Sequence, residues 1–504
     1  MAPVYESDAA KAHSGQSKDS YYPNKNYSQE RTGKREDSRR HGGGRFKQGN
    51  SERSLVFGGL GRWVPIQSLE GVARLKAGIE GEGVDFNSLY ALELSALRER
   101  LEREGCSCDP TQANVTSMLQ SYFVLMGKEA SFSLSIKGIL EPLGNGDAVI
   151  VYLKDNYEIR ALSAFVPACL IEHYHLKRGH ALSVRALPPV EGSSCPVVVD
   201  ILDVMGEPPA QASLQKTFSE LHTVYPQQRI MLEVGAPKDD LTLRAVDCVA
   251  PLGVGQRGLI AGPARSGKTT LLHSIAKTIA SGHPNFHLIV LLLDERPECI
   301  AELRSQVKAE VVSSSFGQGA ESHVHAAEIV VHRARRLAEQ GKDVVVLVDS
   351  MTRLVRAYNA VLPGNGRSRI LPGGLDVSAL NRPKRFFSEG RALRDGGSLT
   401  LLATLLTGSG SAMDESIYEV FKDASNQVIH LDGMLAKHQQ YPAIDIELSG
   451  AYREELLYHP EEHEKTLAMR RSLLALPKEE RMACLLRHLQ KTHSNVEFLN
   501  NMDR

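Results

Sequence analysis

The octapeptide Gly262-Pro263-Ala264-Arg265-Ser266-Gly267-Lys268-Thr269 constrains this chain more than any other stretch, because it needs a strand before it and a helix behind it. Both are legible. Gly258-Leu259-Ile260-Ala261 reads as a short buried strand, and Thr270 to Lys277 has helical spacing. In that setting G-x-x-x-x-G-K-T is a phosphate-binding loop. Its two glycines let backbone N–H groups curl inward around an anion, and the helix start adds partial positive charge. Lys268 is placed to reach the terminal phosphates, and Thr269 to hold Mg²⁺ through its hydroxyl. A chain organised on this loop has an α/β core and binds a nucleoside triphosphate.

The segments C-terminal to the loop complete that chemistry. Strands expected at Leu288–Leu293, Val344–Val348, Leu399–Leu405 and Val428–Leu431 join Leu259–Ala261 and alternate with helical stretches, the pattern of a mainly parallel sheet covered on both faces. Phe286 to Leu293 runs into Asp294-Glu295-Arg296. A carboxylate at a strand's C-terminal edge faces the crevice where ligands bind. Glu295 is therefore a candidate to orient and polarise an attacking water, and Arg296 to lie against phosphate. Asp343 to Val348 followed by Asp349 is the apolar-run-plus-Asp pattern that holds Mg²⁺ through water.

With 504 residues the chain exceeds a single core. Residues 1–56 are rich in Ser, Asn, Gly, Lys and Arg and poor in aliphatics, as in Arg31 to Arg45, and read as a disordered basic tail: solvated, or an arm with salt-sensitive affinity for RNA. Residues 57–128 read as a helical module, with Leu89, Leu92, Leu94, Leu97 and Leu101 near helical spacing. Residues 129–206 change to short β-rich runs and fit a barrel of the OB type. Among its aromatics, Tyr152, Tyr157, Phe165 and Tyr174, Phe165 is the stacking candidate for a single strand. Residues 207–235 carry Pro and Gly breakers and read as a linker, leaving 236–504 for the ATPase domain with C-terminal helices. The seven cysteines are scattered, and Cys106 with Cys108 has no second pair at metal-ligand spacing, so reduced thiols are expected. No apolar run approaches the ~20 residues of a membrane helix, and Met1 to Tyr5 begins no signal sequence; a cytoplasmic protein without membrane contact is expected.

From about Leu241 to Glu455 the residues resemble the Rho family of bacterial transcription terminators, RecA-like hexameric RNA translocases. The words that carry this are Gly253-Val254-Gly255-Gln256-Arg257-Gly258, the phosphate loop, Leu293 to Glu298, Val348 to Asn359, Gly373-Gly374-Leu375-Asp376, Asn381 to Phe387, Gly396 to Thr400, Met413-Asp414-Glu415, Tyr441 to Asp445 and Glu454 to Leu457. The resemblance implies ATP with Mg²⁺ as cofactors, a homohexamer, and single-stranded nascent RNA and RNA polymerase as partners. It implies that Gly253, Val254, Gly255, Gln256, Arg257 and Gly258 line the nucleotide pocket with Arg265, Ser266, Gly267, Lys268, Thr269 and Thr270, that Arg296 lies near the phosphates, and that Tyr441 stacks on adenine. The loop Gly364 to Gly374 becomes a central-pore loop gripping RNA, with Arg369, Gly373 and Gly374 in it.

The chain also departs from the family. Where the family has an arginine finger reaching a neighbouring subunit stands Tyr452, with Arg453 beside it as the substitute candidate. Gln439 stands at a second basic position, and Ala412 replaces the usual lysine of the second pore loop. In the barrel, Asp147-Ala148-Val149 and Ser193 to Pro196 replace the family's aromatic words. Three readings stay open: an RNA-dependent ATPase that translocates 5′-to-3′ and releases transcripts; a paralogue that binds ATP and RNA with little turnover and acts as a regulator; and a rotary ATP synthase catalytic subunit, against which Pro383 to Phe387 and Ser350 to Arg353 speak.

Overall fold

Alternate residues of the central strands are apolar on both faces, so each face must be covered, and helices cover both. The computed structural model describes residues 66–501 apart from 67, 78, 80–82, 105–113, 128–131, 145, 190–194, 213–214, 235–239 and 363–368. The basic tail, Cys106, Cys108 and the first part of the pore loop lie outside the described residues.

Five strands follow the N-terminal helices: β1 (Leu134–Pro142), β2 (Ala148–Val151), β3 (Ala164–Val166), β4 (Ala181–Leu187) and β5 (Val197–Val204). They close on themselves in the order β1-β2-β3-β5-β4-β1, antiparallel except for a parallel contact of Phe165 with Val197 between β3 and β5. The helices Phe86–Ala91, Leu94–Arg103 and Val115–Met126 cap this barrel through Phe86, Leu97, Leu119 and Phe123, which share one core with Leu134, Ile136 and Ile150.

The second sheet is built on β6 (Arg257–Gly262), β7 (His287–Glu295), β8 (Glu310–Ser315), β9 (Asp343–Asp349), β10 (Ser398–Leu406) and β11 (Gln427–His430). Its order is β8-β7-β9-β10-β6-β11, every neighbour parallel. Ile289, Leu291, Val346 and Leu401 face the helices Ala320–Glu339, Met351–Val361 and Val377–Ser388. Val290, Leu292, Leu347 and Leu402 face Lys268–Gly282 and the C-terminal helices. The segment expected to be a linker contributes Thr223–Val224, which pairs with Arg391–Leu393 at the sheet's margin.

The barrel rests on the helix Ala320–Glu339. Gly179 (φ +86°) lies so close that a Cβ there would come within 2.5 Å of the His332 carbonyl carbon. Around that contact Arg178 holds Glu141 through two hydrogen bonds of 2.8 and 2.6 Å, and Tyr157 donates to Glu310 at 3.1 Å. His180 and His332 face this cationic cluster. Burial, then Arg336, Lys177 and Arg333, pushes His180 down to about 3; burial, then Arg178, Arg335 and Arg336, does the same to His332.

Both imidazoles thus stay neutral when folded, while the unfolded chain takes up protons from about pH 6.5 downwards. Their contribution is complete above pH 6.5 and falls as pH drops towards about 3, each losing roughly 2 kcal/mol by pH 5. Thermal denaturation at pH 7, 6 and 5 should show this loss, and His332→Gln should roughly halve it.

Candidate active site

The direction of the sheet decides which residues can meet. In a parallel sheet all C-terminal ends share one edge, and here that edge carries Gly262 of β6, Glu295 of β7, Asp349 of β9 and Leu406 of β10. The phosphate loop spans Gly262 to Gly267, whose φ of +95° no side chain adopts readily, and the helix Lys268–Gly282 starts directly behind it. Lys268 Nζ donates to the carbonyls of Gly262 (2.9 Å) and Pro263 (2.6 Å) across the loop mouth. Burial pushes this ammonium down to about 8, with Asp349 partly opposing.

Asp349 is 5% exposed and held on both sides. Thr269 Oγ1 donates to its Oδ2 and Thr404 Oγ1 to its Oδ1, each at 2.6 Å. Thr404 lies wholly inside β10, the strand between β9 and β6. It belongs to no recognisable motif, and its one signal in the sequence is a hydroxyl inside the apolar run Leu401-Leu402-Ala403-Thr404-Leu405. Glu295 is half-buried at the end of β7, and burial followed by the Asp349 charge raises its carboxyl above the usual range. Arg296 is exposed at the start of the helix Pro297–Gln306, Arg265 is exposed on the loop, and Thr270 is exposed in the first turn of the helix behind it.

The residues fit Mg²⁺. Thr269 and Asp349 form a hard oxygen pair already in register, and the Ser266 hydroxyl is buried in the loop without a protein partner. Tyr441, 53% exposed, stands over the loop: a Cβ built at Gly267 would lie 3.6 Å from its Cε1.

Two groups stand away from the phosphate loop of their own chain, the first against expectation and the second as a finger for a neighbouring subunit requires. Gly253 to Gln256 precede β6 and Arg257 and Gly258 begin it, and four residues of strand put Gly258 about 13 Å from Gly262. They do not line the pocket of their own chain; Gly253 N–H donates to Gln256, Gly255 N–H to Thr400, and the Arg257 guanidinium to the carbonyls of Ala424 and Gly390. Arg453 shares that far edge, since Ala451 pairs with Gln427 at the start of β11. Its Nε donates to Glu455 at 2.6 Å and its guanidinium lies 5.0 Å from the Tyr225 ring centre, while Tyr452 is exposed. Phe165 is a further correction: at 1% exposure its ring is part of the packed interior beside Val149 and cannot meet a base.

Arg369 is exposed where the hairpin Ile370–Leu371/Leu375–Asp376 begins. Gly373 in its turn approaches the second loop so closely that a Cβ would lie 2.5 Å from the Met413 nitrogen, and Gly374 is open beside it. One helix joins these loops to the nucleotide edge. On Met351–Val361, Arg353 pairs with Asp294 and Arg356 with the buried Asp414 at 2.6 Å, which also accepts from Ser409 at 2.6 Å. Among the described residues no helix is long and apolar enough to cross a membrane.

The ATP synthase alpha/beta family, nucleotide-binding domain, matches residues 242–451, so the second sheet belongs to a RecA-like P-loop ATPase domain. Transcription termination factor Rho of Allochromatium vinosum is 41% identical over 366 residues, 72% of this chain and 87% of that protein. Rho of Escherichia coli K12 is 40% identical over 368 residues, 73% and 87% of the two chains. Among solved structures, an ATPase from the type III secretion system of pathogenic bacteria has a TM-score of 0.46 at 22% identity, covering 56% of this chain and 86% of its own.

Lys268→Ala should weaken ATP binding by about two orders of magnitude, because a buried charge-assisted contact to phosphate is lost. Thr404→Val keeps the shape but leaves one Asp349 oxygen buried and unpaired, and should raise the Mg²⁺ concentration needed for nucleotide binding about tenfold. Equilibrium titration with a fluorescent nucleotide checks both.

Proposed function

Because the chain belongs to the Rho family of transcription termination factors, we propose that it is an RNA-dependent ATPase that assembles as a homohexamer, tracks 5′-to-3′ along nascent single-stranded RNA and releases the transcript from RNA polymerase. One observation carries the reading: the helix Met351–Val361 ties Asp294, next to Glu295, to Asp414 at the base of the loop 407–413. A change at Glu295 on nucleotide turnover has a rigid route to the loops that would touch RNA.

Lys268 would exchange the carbonyls of Gly262 and Pro263 for phosphate oxygens. Thr269 and Asp349 would hold Mg²⁺, which when bound neutralises phosphate charge. Glu295, with its raised carboxyl pKa, would orient and polarise the attacking water. Tyr441 would stack on adenine. Arg453, with the exposed Tyr452 and the 253–258 turn on the opposite edge, would face the pocket of the next subunit. To act as a finger its guanidinium must leave Glu455 and Tyr225.

The closed five-stranded barrel, read as OB-type, would load RNA. With Tyr152, Tyr157 and Phe165 buried, charge rather than stacking on these rings would carry its affinity. Arg369, Gly373 and Gly374 would grip RNA in the pore.

A second reading, a ring that binds ATP and RNA with little turnover, is favoured by two observations: Arg453 is engaged within its own chain, and Ala412 offers no charge. Steady-state ATPase assays with and without pyrimidine-rich RNA separate the two. The first reading expects strong stimulation by RNA, its abolition in Glu295→Gln, and a loss of roughly 10³-fold or more in Arg453→Ala. Turnover indifferent to RNA would favour the second.

A further inference from the structure

The loop that carries Tyr441 leaves the sheet after β11 and is closed at its stem. Asp432 N–H donates to Ala443 at 2.7 Å, Asp445 N–H donates to His430 at 2.8 Å, and Leu431 bridges Ile444. A carboxylate fixes the backbone at each end. Asp432 Oδ1 accepts from the N–H groups of Met434 and Leu435, and Asp445 Oδ1 from those of Glu447 and Leu448. The remaining oxygen of each meets the same cation: Lys478 Nζ lies 2.7 Å from Asp432 Oδ2 and 2.8 Å from Asp445 Oδ2.

Those carboxylates are nearly buried, at 12% and 3% side-chain exposure, so without a cation between them two negative charges would oppose each other across the stem. Lys478 comes from outside the sheet, as the first residue of the helix Lys478–Leu489. A cation in a helix's first turn works against the macrodipole, so its own helix does not account for its placement. Its hydrogen bonds to Asp432 and Asp445 push the ammonium above its usual range. The braced loop touches the phosphate loop twice: through Tyr441 at Gly267, and at Gly433, where a Cβ would lie 2.8 Å from Pro263 Cγ.

We propose that Lys478 is a positioning residue for base recognition, clamping the two ends of the loop 432–445 so that Tyr441 stands beside Gly267. It thereby sets affinity for the base half of the nucleotide and not for the phosphate half. This rests on the reading of Tyr441 as the adenine contact. Releasing the clamp lets the loop sample positions in which the ring is out of place, and apparent affinity falls with the competent fraction.

The test is equilibrium binding of ATP and of inorganic tripolyphosphate to the full chain, to Lys478→Met, which keeps the aliphatic stem, and to Lys478→Arg. Lys478→Met should weaken ATP about tenfold and leave tripolyphosphate unchanged, and Lys478→Arg should recover most of the loss. An unchanged ATP affinity in Lys478→Met, or an equal loss for both ligands, overturns the proposal. A parent chain that binds the two ligands equally would instead remove the adenine role of Tyr441, and the role of Lys478 with it.

Discussion

The carboxylate of Asp349 is the point around which the elements of this structure are registered. It is buried at the end of a central strand, and a buried carboxylate is costly unless its oxygens are met. Thr269 and Thr404 meet them from two other elements, one behind the phosphate loop and one on the strand between β9 and β6. Three segments far apart in sequence are thus held in register at the one edge of a parallel sheet where a nucleotide can bind. The apolar alternation that buries both sheet faces exists, in functional terms, to make that register rigid.

From this point the architecture extends outward in two directions. Towards the loops, the helix Met351–Val361 carries two charge pairs within one turn, Arg353 with Asp294 and Arg356 with Asp414, so the nucleotide edge and the loop 407–413 are fastened to one helix. Towards Tyr441, the stem of the loop 432–445 is held by Lys478. The opposite edge of the sheet holds a different set, the 253–258 turn with Tyr452 and Arg453. Asn426 joins them, its side chain accepting from Arg257 N–H and its carbonyl from Tyr452 N–H. On the proposed function, this group on one edge would face the phosphate loop of the next chain in a ring.

Much of this is legible in the sequence because it is local. The phosphate loop is a continuous word, and strands fully buried on both faces write themselves as apolar runs, so β6, β7, β9, β10 and β11 can be read to within a few residues. β8 cannot: Glu310-Val311-Val312-Ser313-Ser314-Ser315 holds few apolar residues, and the helix Ala320–Glu339 buries it regardless. Phe165 misleads because an aromatic in a strand of three residues gives no indication of whether it faces a core or solvent. The 253–258 turn misleads because glycine-rich spelling carries no direction, whereas the parallel sheet puts the start of β6 at the far edge. Thr404 and Lys478 are invisible in the sequence for another reason: each acts on a partner distant along the chain, and only packing brings them together.

Nucleotide and RNA, on the proposed function, bias the same rigid unit, and coupling of that kind is reciprocal. It can be measured as the affinity of the Glu295→Gln variant for single-stranded RNA with and without saturating ATP, paired with its ATP affinity with and without RNA. Each ligand should change the affinity of the other by the same factor, about five-fold or more. An RNA affinity that ATP leaves untouched would mean that the helix Met351–Val361 does not couple the two sites.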